Sequence, residues 1–482
     1  MPRRAGVIEY EPVGTPPIKF GTSGWRAIIA GEFTFPNVRV ATAAIADHVL
    51  ASEPHPALLV GCDPRFHSEA FAAEAASVLS ARGVHVLFCD GFTPTPAIAW
   101  EVLRRRAQGA LNFTASHNPA DYHGLKFSAA DGGPALPEVT RDIEARAAGM
   151  SAIPPANGSS PGPGGIEHIQ CGEPFLARLR ELVRFPILRN AGGTFFYDAL
   201  HGCGAGYLDR LLQEEGVPSA SVRTGRDVLF DGTGPDVSEE NLRPLAESVR
   251  RNRAQAGLAT DGDADRFGVI DADGSFVSPN HILALVYDYL VETRGWRLGV
   301  ARSVATSHLL DAVASAHGLP VYETPVGFKY VGEFLKQDKI ALGGEESAGM
   351  SIRGHVPEKD GILACLLVAE MAAARRASLR EQLATLFRKA GGEFWPLRAN
   401  LNLAPAVQAR TLERLQTSPA EFAGRRVARV NRVDGLKLIF KDGSWILMRS
   451  SGTEPILRVY TEAGSPAESR GLQEAAEKWI EQ

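Results

Sequence analysis

The sequence predicts an α/β protein with three similar α/β/α domains, each with a mixed, mostly parallel sheet, followed by a smaller α+β domain. Short apolar strands alternate with amphipathic helices along most of the chain. In three successive rounds a strand ends on a polar loop that contains glycine. After about Gly391 the strand segments follow one another closely instead. Alternation of strands and helices favours parallel strands with right-handed crossovers, whereas closely spaced strands are typical of α+β domains.

The first round of alternation lies in the N-terminal part of the chain. Ser68 is predicted to cap a helix whose apolar residues share one face, and Gly83 ends it. Pro96 suits the first turn of the next helix, which extends to about Arg106. The strands of this round are predicted at Ala57–Asp63, Val84–Asp90 and Gly109–Thr114.

Two further rounds and a C-terminal unit follow. Helices are predicted up to Gly216, over Leu242–Arg253 and from Ser307. Ligands of parallel sheets bind beyond the carboxyl ends of strands, so the loops that end the three rounds predict one shared cleft. The strands are predicted at 193–200, 256–260, 298–305, 321–324 and 340–342, then at 426–433, 436–440, 445–448 and 457–461, before a helix at 467–480.

The stretch Ala152–Gly165 is rich in proline and glycine and is predicted to close the first domain, because neither helix nor strand persists there. At ~150 residues per domain the 482 residues suggest about three or four domains, and the order of the predicted elements favours four. Their predicted ranges are 1–165, 166–275, 276–391 and 392–482.

Composition and charge exclude several classes of protein. The chain is 44% hydrophobic and 22% charged, with a formal net charge of -5, so it lacks the basic excess of nucleic-acid-binding proteins. It contains no apolar run long enough to span a membrane and no signal-peptide core. The five cysteines are scattered, as in reduced proteins. We expect a cytoplasmic protein with neither nucleic acid nor membrane as partner.

The alternating carboxylates of Asp261, Asp263 and Asp265 form a candidate metal site. In an extended backbone alternate side chains point the same way, so the carboxylates would repel one another without a cation. Ligand sets made only of oxygen favour hard ions such as Mg²⁺. A solvated acidic turn is the alternative. An EF-hand is excluded, because Arg266 and Ala272 stand where its glycine and glutamate are needed.

Ser116 follows the third strand, in the run Thr-Ala-Ser-His-Asn-Pro. It can be a turn serine or a hydrolase nucleophile, but no G-x-S-x-G elbow surrounds it, and His117 is too close in sequence to act as its base. A serine that accepts phosphate needs donors and a cation nearby. His117, Asn118 and Lys126 offer the donors, and the aspartate loop offers the metal.

Two more loops have the composition of ligand sites. Residues 449–455, Arg-Ser-Ser-Gly-Thr-Glu-Pro, combine glycine, hydroxyls and a guanidinium as an anion cradle does, although a polar hairpin has the same composition. Glu345, Glu346 and Ser347 can bind sugar hydroxyls or form a charged turn. Gly202–Gly206 looks like a dinucleotide fingerprint, but its third glycine is one place early, so we expect no NAD.

In this order the loops resemble those of the α-D-phosphohexomutase family, which includes phosphoglucomutase and phosphomannomutase. The resemblance runs from the segment Phe-Gly-Thr-Ser-Gly-Trp-Arg at 20–26 to about Tyr460, and its specific motifs are T-A-S-H-N-P, D-G-D-A-D-R and R-S-S-G-T-E-P. It implies four domains around a deep cleft and a Mg²⁺-dependent mutase whose partner is a hexose phosphate.

The resemblance also implies a role for individual residues. Ser116 would be the phosphoserine, and a phosphate oxygen on it would join Asp261, Asp263 and Asp265 as Mg²⁺ ligands. The catalytic residues would be Ser116, His117, Lys126 and Arg26. The residues that bind substrate would be Arg266, Lys329, Glu345, Ser347, Lys359, Arg449, Ser451, Gly452 and Thr453.

Differences from other members point to glucose as the sugar. Gly349 stands where phosphomannomutases often have histidine, and Glu346 where phosphoglucosamine mutases tend to have glutamine. Phe328 stands where some members have a histidine, so Lys359 or Lys126 would substitute as general base. We therefore expect glucose 1-phosphate and glucose 6-phosphate to interconvert through glucose 1,6-bisphosphate.

Other activities and assemblies stay open at this point. Within the family, mannose phosphate or glucosamine phosphate is the alternative substrate. Outside it, a Mg²⁺-dependent sugar phosphatase and a non-catalytic sugar-phosphate-binding protein use the same residue types. The chain is expected to be a monomer or a small homo-oligomer.

Overall fold

The computed structural model describes residues 18–150, 153, 162–450 and 456–481. Within these ranges the chain forms two six-stranded and two four-stranded sheets, which follow one another along the sequence.

The first sheet is mixed and has helices packed against it. In chain order the elements are β1 (Trp25–Ile28), α1 (Phe35–Leu50), β2 (Ala57–Cys62), α2 (Ser68–Ala81), β3 (His85–Cys89), α3 (Thr95–Arg105), β4 (Gly109–Phe113), β5 (Tyr122–Ala129), α4 (Pro137–Ala148) and β6 (Ile166–Ile169). The strand order is β1-β5-β4-β2-β3-β6. Strands β4, β2, β3 and β6 are parallel, whereas β5 is antiparallel to both β4 and β1.

The second sheet has the order β10-β9-β7-β8, with β7 parallel to both β8 and β9 and β10 antiparallel to β9. Its elements are α5 (Gly172–Leu182), α6 (Phe185–Arg189), β7 (Phe195–Asp198), α7 (Leu208–Glu214), β8 (Ser219–Val222), α8 (Arg243–Asn252), β9 (Ala256–Thr260) and β10 (Phe267–Asp271).

The third sheet has the order β12-β11-β13-β14, with only β14 antiparallel. Its elements are α9 (Pro279–Arg294), β11 (Gly299–Ser303), α10 (Leu309–Ala316), β12 (Val321–Thr324), α11 (Phe328–Lys336), β13 (Ile340–Glu345), β14 (Gly349–Ile352), α12 (Gly361–Arg375) and α13 (Leu379–Ala390). One apolar core includes residues from Phe175 to Phe387 together with Ala97 of α3, so the second and third sheets are packed around common helices.

The fourth sheet is antiparallel throughout, in the order β15-β20-β19-β18-β17-β16. Its elements are β15 (Trp395–Asn402), α14 (Pro405–Leu415), β16 (Glu421–Phe422), β17 (Arg425–Asn431), β18 (Leu436–Phe440), β19 (Trp445–Ser450), β20 (Ile456–Ala463) and α15 (Pro466–Glu481). One face of the sheet packs on α15, and Trp445 and Tyr460 pack against Val304 and Ala305, which follow β11.

These sheets confirm the predicted fold class, three mixed and mostly parallel α/β units and a C-terminal α+β unit. Several bounds differ from the prediction, and two of the differences concern the site and a predicted domain boundary. Strand β13 runs on to Glu345 instead of ending at Leu342, and β6 pairs with β3, so the first sheet extends past residue 165. The four domain ranges stay a prediction. None of the helices in the described part of the chain is long and apolar enough to cross a membrane.

Candidate active site

Ser116 lies just beyond the carboxyl end of β4 and is 1% exposed. Its φ of 54° is left-handed, which is uncommon for a residue that carries a Cβ atom. Its hydroxyl donates a hydrogen bond of 2.7 Å to Oδ2 of Asp261, which follows β9 in the next sheet. The serine loop and the aspartate loop therefore meet, as expected of loops at the carboxyl ends of strands.

The three aspartates are gathered by a turn. Ala264 has a φ of 57°, and its amide donates to the carbonyl of Asp261 at 3.0 Å. One oxygen each from Asp261, Asp263 and Asp265 lies within 4.8 Å of the others. The expectation of an extended backbone was wrong, because the turn rather than strand alternation makes the carboxylates converge.

This carboxylate cluster fits a hard cation. Oδ1 of Asp263 and Oδ1 of Asp265 are buried and have no hydrogen-bond partner among the described residues. Burial and the neighbouring charges of Asp263 and Asp265 raise the pKa of Asp261 well above its usual value. A divalent cation would satisfy the free oxygens and favour the ionised form of Asp261.

Lys126 and Lys359 reach the aspartates from the first and third sheets. Nζ of Lys126 donates to Oδ2 of Asp265 at 2.7 Å and also contacts Asp263. Nζ of Lys359 donates to the same oxygen of Asp265 at 2.6 Å. Burial lowers the pKa of Lys126, but Asp263 and Asp265 outweigh it and raise the pKa above its usual value. Burial also lowers the pKa of Lys359, but the charges of Asp265 and Glu358 outweigh it, so the pKa is raised above its usual value.

The raised pKa values argue against Lys126 and Lys359 as substitute general bases. A base must be neutral, yet both side chains are stabilised as cations in this arrangement. They are suited to hold negative charge near Ser116. Phe328 is buried among Ala301, Val331 and Ile340.

Two arginines and a histidine surround the same loops. Nη1 of Arg26 donates to Oδ1 of Asn118 at 2.6 Å, and Nε of Arg266 lies 3.9 Å from Oδ1 of Asp265. Burial and the charge of Arg266 lower the pKa of Arg26 to about 10. Burial, followed by the charges of Arg266 and Arg26, lowers the pKa of His117 well below its usual value, so His117 is neutral at pH 7.

The third sheet brings a carboxylate and a cation toward the site. Glu345, at the end of β13, accepts a hydrogen bond of 2.7 Å from the amide of Gly327. Burial and the charge of Glu346 raise its pKa to about 7. Ser347 is half-buried in the turn that follows. Lys329 is half-buried in α11, with Nζ 5.6 Å from the ring centroid of Tyr330, and burial lowers its pKa.

The fourth sheet contributes arginines. Nε of Arg449, near the end of β19, lies 2.8 Å from Oδ1 of Asp434, and Arg449 pairs with Arg458 of β20 across the ladder. The charge of Arg398 in β15 adds to the lowering of the pKa of His117. The predicted residues Ser451, Gly452 and Thr453 lie outside the described residues.

Sequence reasoning missed Thr95, which supports the aspartate loop. Its hydroxyl donates to Oδ2 of Asp263, and its amide donates to the carbonyl of Asp263 at 3.0 Å. Nδ2 of Asn112 donates to the Thr95 hydroxyl at 2.8 Å. The Thr-Pro start of α3 identifies a helix terminus, but nothing local shows that this terminus contacts a loop far along the chain.

Family models match most of the chain. The matched descriptions are "Phosphoglucomutase/phosphomannomutase, alpha/beta/alpha domain I" over residues 17–152, domain II of the same series over 173–274, domain III over 278–390, and the C-terminal domain over 408–478.

Individual relatives are similar over nearly their whole length. A phosphoglucomutase/phosphomannomutase of Thermococcus kodakarensis is 30% identical, over 96% of this chain and 98% of its own. A phosphoglucosamine mutase of Clavibacter sepedonicus is 32% identical, over 95% of this chain and 98% of its own. A Thermus thermophilus protein that is provisionally named a phosphomannomutase is 32% identical in sequence to this chain. Its crystal structure matches with a TM-score of 0.84 over 97% of this chain and 100% of its own.

Proposed function

We propose that this chain, which belongs to the phosphoglucomutase/phosphomannomutase family of mutases, interconverts glucose 1-phosphate and glucose 6-phosphate through a phosphoserine at Ser116. One observation carries the proposal. The buried Ser116 hydroxyl contacts a carboxylate of a cluster that has free oxygens and lysines at its edge. A serine with only a structural role in a turn would not require a carboxylate cluster and two lysines beside it.

In the proposed cycle, phospho-Ser116 gives its phosphoryl group to O6 of glucose 1-phosphate. The Oγ–P bond breaks, the O6–P bond forms, and the O6 proton ends on Oγ of Ser116. Glucose 1,6-bisphosphate then reverses its orientation, the O1–P bond breaks, a new Oγ–P bond forms at Ser116, and the Oγ proton ends on O1. Glucose 6-phosphate leaves.

The residues around Ser116 supply positioning and charge. Lys126 and Arg26 hold negative charge on the transferring phosphoryl group, and neutral His117 offers a hydrogen bond. Asp261, Asp263 and Asp265 would hold Mg²⁺, which neutralises charge on a transferring phosphoryl group when bound. Positioning and electrostatic stabilisation account for most catalysis in phosphoryl transfer, so no covalent help beyond the serine is needed.

Substrate binding falls to the third and fourth domains in this proposal, with Arg266 from the second. Glu345 and Ser347 accept hydrogen bonds from sugar hydroxyls, while Lys329, Lys359 and Arg266 bind the sugar phosphate. The phosphate that is not reacting binds the loop of Arg449, Ser451, Gly452 and Thr453. Because the sugar reverses between the two half-reactions, this loop accepts the phosphate at either end.

The preference for glucose rests on the sugar loop. Glu346 is a glutamate whose Oε2 accepts from the hydroxyls of Ser303 at 2.6 Å and Thr306 at 3.2 Å, so its carboxylate is held in a fixed position. Gly349 lies directly against the side chain of Lys359, which leaves no space for the histidine that phosphomannomutases often have. Mannose and glucosamine phosphates are the alternative substrates.

The test combines mass spectrometry with a substrate panel. Intact-mass analysis should show one phosphate that is absent from Ser116→Ala, and that variant should lose mutase activity. Ser80→Ala is the matched control, since Ser80 is buried in α2 and its hydroxyl has no partner among the described residues. Full activity in Ser116→Ala would sink the proposal.

Substrate preference is decided in the same assay. With bisphosphate activator present, kcat/KM is compared for glucose, mannose and glucosamine 1-phosphates, and the glucose compound should be highest. Chelation should stop turnover, and Mg²⁺ should restore it. Inorganic phosphate released at the rate of substrate loss would instead identify a phosphatase.

A further inference from the structure

The backbone of the loop that carries Ser116 is hydrogen-bonded to the side chain of Arg65, which was not among the predicted site residues. The Arg65 side chain is fully buried. Its Nη2 donates to the carbonyl oxygens of Ser116 and Asn118, each at 2.6 Å. Its Nη1 donates to the carbonyl oxygens of Pro119 at 2.8 Å and Tyr122 at 3.2 Å. One guanidinium therefore binds the backbone along the whole loop between β4 and β5.

Asp63 fixes that guanidinium and also reaches Ser116 by a second route. Nε of Arg65 lies 3.1 Å from Oδ2 of Asp63, which is equally buried. The same oxygen accepts from the hydroxyl of Thr114 at 2.6 Å, and this hydroxyl accepts from the amide of Ser116 at 2.8 Å. The amide and the carbonyl of Ser116 are thus both connected to one ion pair.

Both sets of hydrogen bonds constrain the backbone of Ser116. Ser116 has left-handed φ, a conformation that a residue with a Cβ atom adopts only where its surroundings impose it. A different φ would swing Oγ away from Oδ2 of Asp261. Polar contacts to the amide and the carbonyl on either side of this torsion are suited to impose it.

Stability alone does not explain a buried ion pair in this place. Desolvation of two buried charges largely cancels their attraction, and well-packed apolar residues often replace such pairs without loss of stability. A guanidinium with several donors in a rigid plane is, by contrast, the group best suited to fix several acceptors at once. Phe230, from the second domain, covers the guanidinium at 5.0 Å, so water is excluded there.

We propose that Asp63, Arg65 and Thr114 are positioning residues that hold the backbone of Ser116 so that its Oγ points at the aspartate cluster before and after phosphoryl transfer. This inference deepens the proposed function and rests on it for the consequence in catalysis. These three residues, which we call the tether, are not among the proposed ligands of the sugar phosphate or the metal. Its loss should therefore lower kcat and leave KM for the sugar phosphate unchanged.

Two substitutions break the tether at different points. Arg65→Lys keeps the charge but cannot reach four carbonyls, and Thr114→Val removes the hydroxyl between Ser116 and Asp63. Each should lower kcat per folded enzyme by about 10- to 100-fold, the effect of misplacing a reacting atom by about 1 Å. Thr114→Ser retains the hydroxyl and should restore kcat to near the wild-type value.

The matched control is Arg294→Lys. Arg294 is also mostly buried, and its Nη2 donates to both carboxylate oxygens of Glu370 at 2.8 Å and to the carbonyl of Leu182 at 3.1 Å, away from the loops of the site. A loss of thermal stability that is common to Arg65→Lys and Arg294→Lys measures the general cost of altering a buried ion pair. A loss of kcat confined to Arg65→Lys and Thr114→Val reports positioning.

Hydrogen exchange separates this proposal from the proposed function. Amides of residues 114–122 should exchange at least about tenfold faster in Arg65→Lys and Thr114→Val than in the wild type or Arg294→Lys, because opening of the loop becomes easier. Unchanged exchange, or unchanged kcat in an active enzyme, overturns the tether. If the wild type has no mutase activity, the proposed function fails, while the exchange comparison still decides whether the tether holds Ser116.

Discussion

A methyl group at position 349 should weaken the site by displacing Lys359 while leaving the other proposed substrate-binding residues untouched. Gly349 begins β14, and a Cβ atom built on it would lie 2.2 Å from Cδ and 2.7 Å from Cγ of Lys359. Ordinary contacts begin near 3.4 Å, so Lys359 would have to withdraw by about 1 Å in a tightly packed interior.

The chain of Lys359 has little freedom to make that movement. Its Nζ is 2.6 Å from Oδ2 of Asp265, and the residue is 6% exposed. A shift of about 1 Å lengthens this hydrogen bond beyond a useful distance and leaves a charged pair in poor geometry. Misplacement of that size costs about 10²-fold in rate when it reaches reacting groups.

Gly349→Ala is therefore expected to lower kcat by about 10- to 100-fold. The assay couples formation of glucose 6-phosphate to its dehydrogenase, in Mg²⁺ with bisphosphate activator. Gly471→Ala is the control, because Gly471 lies in α15 and a Cβ atom there meets no atom within 4 Å. If Gly349→Ala turns over within about twofold of Gly471→Ala, Lys359 does not act through its fixed place beside Asp265.

Two buried groups with shifted pKa values should show pH effects of opposite sign. Lys437 is fully buried against Trp445, and burial and the charge of Arg302 lower its pKa from 10.5 to about 7. The native state gains stability as pH rises from 7 toward 10.5, so Lys437→Met should raise the melting temperature more at pH 6 than at pH 9; a shift independent of pH contradicts this. Glu345 has its pKa raised from 4.5 to about 7, so its contribution is present below pH 4.5 and is lost as pH rises through 7. Glu345→Gln should accordingly raise the melting temperature more at pH 8 than at pH 5, and the reverse order would show that burial does not dominate at Glu345.

The fold could be predicted where local sequence and long-range packing agree. Strands β9 and β18 lie at the predicted residues, because both are buried and leave a largely apolar run between turns. Strand β13 was predicted too short because Gly343 and Gly344 are typical of loops. In the structure both are strand residues whose missing side chains make room for Val331 and Leu283. Only the packing partner shows why glycine is needed there.

The candidate site could be predicted as a set of motifs but not as a geometry. Ser116 and the aspartates are singled out by residue type and spacing, whereas Thr95 begins a helix and Arg65 lies in a loop, both in segments of ordinary composition. Their roles depend on which loops meet across the first and second sheets. The convergence of the aspartates depends on the left-handed φ of Ala264, a conformation that composition does not predict.

The charges around Asp265 also explain why the domains must meet as they do. Asp265 lies in the loop between β9 and β10 of the second sheet, yet its cationic partners are Lys126 in β5 of the first sheet and Lys359 beyond β14 of the third. Removal of either lysine leaves a buried carboxylate short of a partner, which is far more costly than the intact pair is stabilising. A shift of one domain against another has the same effect as removing a lysine. The cluster therefore favours the arrangement of the three domains in which Ser116 faces the aspartates, and the contacts that prepare the site also stabilise that arrangement.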